Sequence, residues 1–318
     1  MQSSETKLPK HYLLSLFLAL ITFSSQAQNL NKHVLNPNDD YSGYYYAAAP
    51  KGDSIVAVLV LLAGFGQKAE DTPPETKLHL VAAKKNVLTV FFAAGNKLYA
   101  DSVTCLNLNR VINDVLSRYH VNKNTFVLAG FSAGGMVALR YAELCLQYPA
   151  SYPIKPLAAF TVDSPLDIFT IYEQLEESAA NHYSEPAYEE AERAIAHIKA
   201  DHGVPREHPA IYTKLTAFCM DKSLGQNEVW LKKLPLRVYH DVDIAWRIVN
   251  RHQTVHRSNY EVSAELINRL QLMGNLKAEF MQSFKTGYRA NGQRHPHSWS
   301  IVNETECLQW IHSLLQAQ

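Results

Sequence analysis

Residues 125–135, TFVLAGFSAGG, constrain the fold more than any other part of this chain. An apolar, β-favouring stretch ends in Gly130-Phe131-Ser132-Ala133-Gly134 and passes at once into residues 136–142, which have helical character. A serine with glycine two places before it and two places after, between a strand and a helix, is the pattern of a nucleophile elbow. The requirement is steric. The chain reverses so sharply that the serine takes a strained backbone conformation, and a Cβ at either flanking position would collide with the turn. The turn lifts the hydroxyl clear of the sheet and sets it at a helix N-terminus, where partial positive charge favours developing anions.

The elements around this run repeat in a regular order. Residues 44–48 and 55–62 read as strands, the second a nearly unbroken apolar run of the kind buried on both faces of a parallel sheet. Residues 77–85 read as a helix, 87–93 as the next buried strand, and 102–119 as an amphipathic helix with Val103, Leu106, Val111, Val115 and Leu116 on or near one face. After the elbow strand and helix, 157–162 is another strand. Strands alternating with helices imply right-handed crossovers and a doubly wound, mostly parallel sheet. The rhythm breaks after Asp163. Residues 165–233 are mostly helical, with Tyr188, Ala191, Ile195 and Ile198 at helical spacing over 187–200 and Gly203 just beyond. The sheet resumes at 234–240. Helices are expected from about 245 to 256 and over 263–272, then a strand at 279–284 and a closing helix at 304–315.

Composition narrows the class. Residues 1–27 read as a secretory signal peptide: Lys7, Lys10 and His11 precede a short apolar core at 13–23, and Ser25-Gln26-Ala27 is a small-x-small cleavage site. The apolar run is too short for a comfortable membrane span, so the expectation is a secreted or periplasmic protein without stable membrane insertion. The net formal charge of +0 argues against nucleic acid or an anionic membrane as the partner. Cys105, Cys145, Cys219 and Cys307 include no Cys-x-x-Cys spacing and sit among apolar residues, which favours buried thiols or at most one disulfide.

Three segments, the Gly-Phe-Ser-Ala-Gly elbow, His240-Asp241-Val242-Asp243-Ile244 and His295-Pro296-His297-Ser298-Trp299, together resemble the α/β-hydrolase superfamily. The resemblance follows the order of elements over nearly the whole chain after residue 27. It implies the α/β-hydrolase fold with a helical cap at about 165–233, and it implies a catalytic triad in the order serine, acid, histidine. Ser132 is then the nucleophile. His297 matches the family's base, a histidine at the entrance of the closing helix, while His295, ahead of a proline, suits a rim or supporting role. The acid is expected a few residues past a strand-ending His-Gly, which favours Asp243; Asp241 is the alternative, and Asp163 the remaining candidate, since some members place the acid after the preceding strand. The aspartate not used is expected to cap the helix near Ile244. The oxyanion hole needs two backbone N–H groups. Ala133 should supply one and the loop Leu62-Ala63-Gly64-Phe65-Gly66-Gln67 the other, from Phe65 first and Gly66 second. Ala63 stands where the family commonly has histidine.

By these features the chain looks like an exported bacterial esterase that takes a small-molecule or oligosaccharide ester, with no metal and no organic cofactor. Alternatives stand beside it. A serine peptidase of the same fold would need an acidic pocket for a peptide amine, which Glu173, Glu176 and Glu177 could supply. An acetyl or feruloyl esterase acting on polysaccharides would suit a cap rich in aromatics: Phe169, Tyr172, Tyr183, Tyr212, Phe218 and Trp230. These rings either roof the pocket or form the cap's own core. A binding protein on a hydrolase scaffold is the reading outside enzymes. His252 and His256 have helical metal-ligand spacing, but flanking Arg251 and Arg257 favour a solvated helix face.

Overall fold

The structure, a computed structural model, describes residues 29–317 apart from 53 and 222–225. The expected signal peptide at 1–27 lies outside the described residues. Strands β1 (Leu30–Val34), β2 (Tyr44–Ala48), β3 (Ala57–Leu62), β4 (Val87–Phe92), β5 (Phe126–Phe131), β6 (Ala158–Val162), β7 (Leu236–Asp241) and β8 (Ala278–Ser283) form an 8-stranded sheet in the order β1-β2-β4-β3-β5-β6-β7-β8. From β4 to β8 in that order every neighbouring pair is parallel; β2 runs antiparallel to both β4 and β1. Every residue of β3 to β7 is buried. Uninterrupted apolar strands require helices on both sides.

Side chains alternate along a strand, and the two sides of β3 feed two apolar layers. Val58, Val60 and Leu62 pack with residues of α2 (Ser102–Tyr119), α3 (Ala133–Gln147) and α8 (Asn259–Leu272). Leu59 and Leu61 pack with Leu78 and Ala82 of α1 (Leu78–Ala83) and with Cys307, Leu308 and Ile311 of α9 (Glu304–Gln316). Burial of a side chain of this size is worth about 1.5–3 kcal/mol, so the sheet is a rigid floor for what its strand ends carry. The four cysteines are buried free thiols. Among the described residues no helix is long and apolar enough to cross a membrane.

The chain between β6 and β7 forms α4 (Ile168–Asn181), α5 (Glu185–His202), α6 (Pro209–Leu215) and a 3-10 turn at Asn227–Leu231. Phe169, Tyr172, Tyr212 and Phe218 are buried in the molecule's apolar core. After β7, helix α7 (Ile244–Arg251) stops at Arg251 rather than continuing to His256. His252 takes a left-handed conformation, φ 51°, and the Arg247 Nε–H donates across the bend to the Thr254 carbonyl at 2.6 Å. His252 and His256 therefore do not share a helix face; His256 instead pairs with Glu261 at 3.4 Å. Strand β1 is an exposed edge strand of mixed polarity, and no apolar alternation in the sequence marks it.

Candidate active site

Ser132 stands between the end of β5 and the start of α3 with φ 53° and ψ −130°, a conformation that costs a non-glycine residue about 1–3 kcal/mol. The neighbouring glycines allow it. A Cβ on Gly130 would lie 2.2 Å from the carbonyl carbon of Gly134, and one on Gly134 would lie 2.3 Å from the carbonyl oxygen of Ala63. The Ser132 N–H donates to the Val162 carbonyl of the adjacent strand at 3.0 Å. This bond fixes the elbow beside the end of β6, and the next residue on β6 is Asp163.

The loop after β3 passes against the serine: a Cβ on Gly64 would be 3.4 Å from that of Ser132. The Gly64 N–H donates to the Gln67 side chain at 2.7 Å, and the Gly66 N–H donates to the Gly95 carbonyl at 3.0 Å. Gly66, the second expected oxyanion donor, is thus already engaged. Among the described residues the N–H groups of Phe65 and Ala133 carry no partner, and both residues line the cavity that holds Ser132.

His297 lies in the loop between β8 and α9, with its ring centroid 4.4 Å from that of Phe131. Its Nδ1 pairs with Asp163 Oδ2 at 2.8 Å. A neutral imidazole that donates through Nδ1 keeps a lone pair on Nε2, and His297 lines the same cavity as Ser132. The other oxygen of Asp163 faces His240 Nδ1 at 3.2 Å. Burial works against the charge of Asp163, but the neighbouring His297 and the hydrogen bonds from His240 and His297 outweigh it and hold the carboxyl well below the usual range. The residue itself sits at φ 42°, with its carbonyl accepting from Asn259 Nδ2 at 3.0 Å.

The partner of His297 is therefore Asp163 and not Asp243, the first expectation, or Asp241, the second. Asp243 accepts from the Trp246 N–H at 3.0 Å, capping α7, and its other oxygen meets Arg294 Nη2 at 2.9 Å. Asp241 accepts from the Gly287 N–H at 2.8 Å and also meets Arg294 Nη2 at 2.9 Å. One guanidinium holds both carboxylates, which ties the end of β7 to the loop carrying His297. The capping role expected of the unused aspartate falls to Asp243. The residue that sequence reasoning undervalued is His240: its ring stacks on Phe280 with centroids 5.3 Å apart and fixes the side of Asp163 away from His297.

On the side of α4 and α5 the cavity is lined by Ile171, Leu175, Ala187, Ala191 and Ala194; of the two readings for the aromatics, Phe169, Tyr172, Tyr212 and Phe218 follow the second and lie in the apolar core. His295 also lines it. Its Nδ1 accepts the His297 N–H at 3.1 Å, and burial, then repulsion from His297, Arg289 and Arg251, push its pKa down to about 3. Among the described residues no group of three or more His, Cys, Asp or Glu is placed to hold a metal ion.

No family model and no curated protein matches this chain. Solved structures do. Esterase B from Lactobacillus rhamnosis, in an inhibited form, aligns at a TM-score of 0.55 and 10% identity over 92% of this chain and 89% of that one. Carboxyl esterase 2 from the mycorrhizal fungus Tuber melanosporum aligns at 0.53 and 11% identity over 93% and 89%. An esterase from the bacterial hormone-sensitive lipase family aligns at 0.52 and 14% identity over 92% and 86%. At such identities the likeness concerns the backbone. With its doubly wound sheet, its strained serine at the β5–α3 turn and these structural neighbours, the chain has the α/β-hydrolase fold.

Proposed function

We propose that this protein hydrolyses carboxylic esters through an acyl-enzyme formed on Ser132. The observation that carries the reading is the 2.8 Å bond between His297 Nδ1 and Asp163, in one cavity with a serine held at positive φ. A serine hydroxyl is a weak nucleophile until an oriented base takes its proton. His297 Nε2 takes it as Ser132 Oγ attacks the ester carbonyl. Asp163 holds the Nδ1–H tautomer and stabilises the imidazolium that forms. The Phe65 and Ala133 N–H groups receive the oxyanion. His297 then protonates the leaving alcohol, and water repeats the cycle on the acyl-enzyme. The helices between β6 and β7 act as the cap, and their small apolar side chains shape the pocket.

The solved neighbours named as esterases support this chemistry over the alternatives. Against the peptidase reading, Glu173, Glu176 and Glu177 are not among the residues that line the cavity, and Glu173 is paired with Arg206 and with Arg257, each at 3.2 Å. A polysaccharide esterase remains a member of the same reaction class. The test is turnover of 4-nitrophenyl acetate, butyrate and octanoate beside labelling by a fluorophosphonate. Both should be present in the wild type and absent from Ser132→Ala. A protein that neither labels nor turns over any ester would move the binding-protein reading to the front. The N-terminal segment leads us to infer export as well. Mass spectrometry of protein recovered from the producing cell should find Gln28 as the first residue, and an intact Met1 would overturn export.

A further inference from the structure

The ester chemistry accounts for Ser132, His297 and Asp163 but not for the cations beside them. Arg247 and Arg251 lie about one turn apart on α7, and both line the cavity. Arg289 stands over the Phe131 ring at 5.3 Å, close enough to Arg251 for the two to repel. Among the described residues no carboxylate comes within 4.0 Å of any of the three. Carboxylates farther off do act on them: Asp163 and Glu177 on Arg247, and Glu75, Glu190 and Asp163 on Arg289. Several other arginines are paired directly, as with Arg237, which holds Glu279 at 2.5 Å and Glu306 at 2.7 Å.

Neutral acceptors hold the cavity arginines in place. Arg247 donates to the Thr254 carbonyl and, at 3.1 Å, to Gln253 Oε1. Arg251 donates to the Tyr183 hydroxyl at 2.7 Å. These bonds orient the guanidiniums without neutralising them, and a partly buried cation without a counter-ion is costly. Burial accordingly lowers the proton affinity of Arg247 and Arg289.

His295 supplies an independent observation. Its Nδ1 accepts from the His297 N–H, so in the neutral ring Nε2 must carry the hydrogen. Arg251 Nη2 lies 3.4 Å from that Nε2. Two donors face each other with no lone pair between them, and an anion set against both would accept from each.

We propose that the ester taken by this cavity carries an anionic group, a carboxylate or a sulfonate-like oxyanion, held by Arg247, Arg251 and the Nε2–H of His295 while the scissile carbonyl reaches Ser132. The inference rests on the esterase reading of Ser132. A guanidinium fork matches such planar or multi-oxygen anions with paired N–H···O bonds. The anion belongs to the substrate on either side of the scissile bond, and the test covers both.

Phenyl butyrate is compared with 4-carboxyphenyl and 4-sulfophenyl butyrate for the alcohol side, and 4-nitrophenyl butyrate with mono-4-nitrophenyl glutarate for the acyl side. At least one anionic ester should exceed its neutral partner by about 10–100-fold in kcat/KM, mostly through KM, the range expected for hydrogen bonds to a charged group. Whether the carboxylate or the sulfonate gains more identifies the anion. Arg251→Gln and Arg247→Gln should each lower the anionic-to-neutral ratio, a quantity from which a general loss of activity cancels. Ratios at or below one in every wild-type pair, or ratios unchanged in both variants, overturn the inference. Turnover of the neutral ester and labelling at Ser132 report separately on the esterase reading. Should that reading fail, glutarate and benzenesulfonate are titrated into the wild type by calorimetry; binding that weakens in the arginine variants supports the anion site, and no binding by either anion overturns it.

Discussion

Asp163→Asn should lower kcat on a neutral ester by about 10³–10⁴-fold, the scale of loss when the carboxylate of a serine–histidine–aspartate triad becomes an amide. Asp243→Asn should leave kcat in the wild-type range. The tautomer of His297 decides the outcome. His297 must donate through Nδ1 to keep a lone pair on Nε2, and only an acceptor at Asp163 Oδ2, 2.8 Å away, enforces that. An asparagine can turn its NH₂ to this position and drive the proton to Nε2, where it blocks abstraction from Ser132. His240 makes this outcome more severe, because its Nδ1, 3.2 Å from the other oxygen, competes for the remaining amide acceptor. Asp243 has no such duty. Its loss is read in stability: Asp243→Ala removes the cap on α7 and should cost about 1 kcal/mol. Single-turnover kinetics and urea unfolding of the three variants separate the roles, and a larger kcat loss at position 243 than at 163 would return the acid to β7. Ser132→Ala should exceed both in its effect on kcat, as loss of the nucleophile generally does.

The contrast between Asp163 and Asp243 also explains which parts of the site were legible in the sequence. Apolar runs such as 57–62 and 126–131 mark strands buried on both faces, and the elbow glycines report a backbone that tolerates no Cβ. Those signals are local. The acid is not a local property. Asp243 follows a strand and precedes a helix, so by position it satisfies both a triad member and an N-cap, and nothing nearby separates the two. What separates them is a distant residue, Arg294, which claims Asp243 and Asp241 together. Asp163 is set by register: Phe131 is paired with Val162, so the residues that follow, Ser132 and Asp163, emerge side by side from neighbouring strands. On the next strand along, Tyr239 is paired with Val162, so His240 follows beside Asp163 and completes the row. The edge strand β1 and the bend at His252 were missed for the converse reason. Exposed backbone needs no apolar pattern, and a left-handed helix end at a histidine leaves no glycine to signal it.

The His295→Gln variant should flatten the acid side of the stability profile. The folded protein holds His295 at a pKa of about 3, through burial first and then the positive neighbours His297, Arg289 and Arg251. In the unfolded chain the same imidazole titrates near 6.5. Between these values the unfolded state binds a proton that the folded state refuses, so stability rises with pH across this window. The contribution is complete above about pH 6.5 and is lost as pH falls toward 3, with a slope of at most about 1.4 kcal/mol per pH unit for one proton. Glutamine can still accept the His297 N–H but has no proton to gain, so the slope of the variant should fall short of the wild type by up to that amount between pH 4 and 6. Other buried groups titrate nearby. His79, lowered by burial, acts in the same direction, and Glu143, raised by burial despite Arg140, acts in the opposite one. Both are common to the two proteins and cancel in the difference. Urea midpoints at fixed ionic strength from pH 4 to 7.5 supply the measurement, and parallel profiles for wild type and variant would mean that His295 titrates normally in the fold. A flattened profile would establish that the ring is neutral at working pH, the state in which its Nε2–H can face Arg251 as a second donor across the cavity.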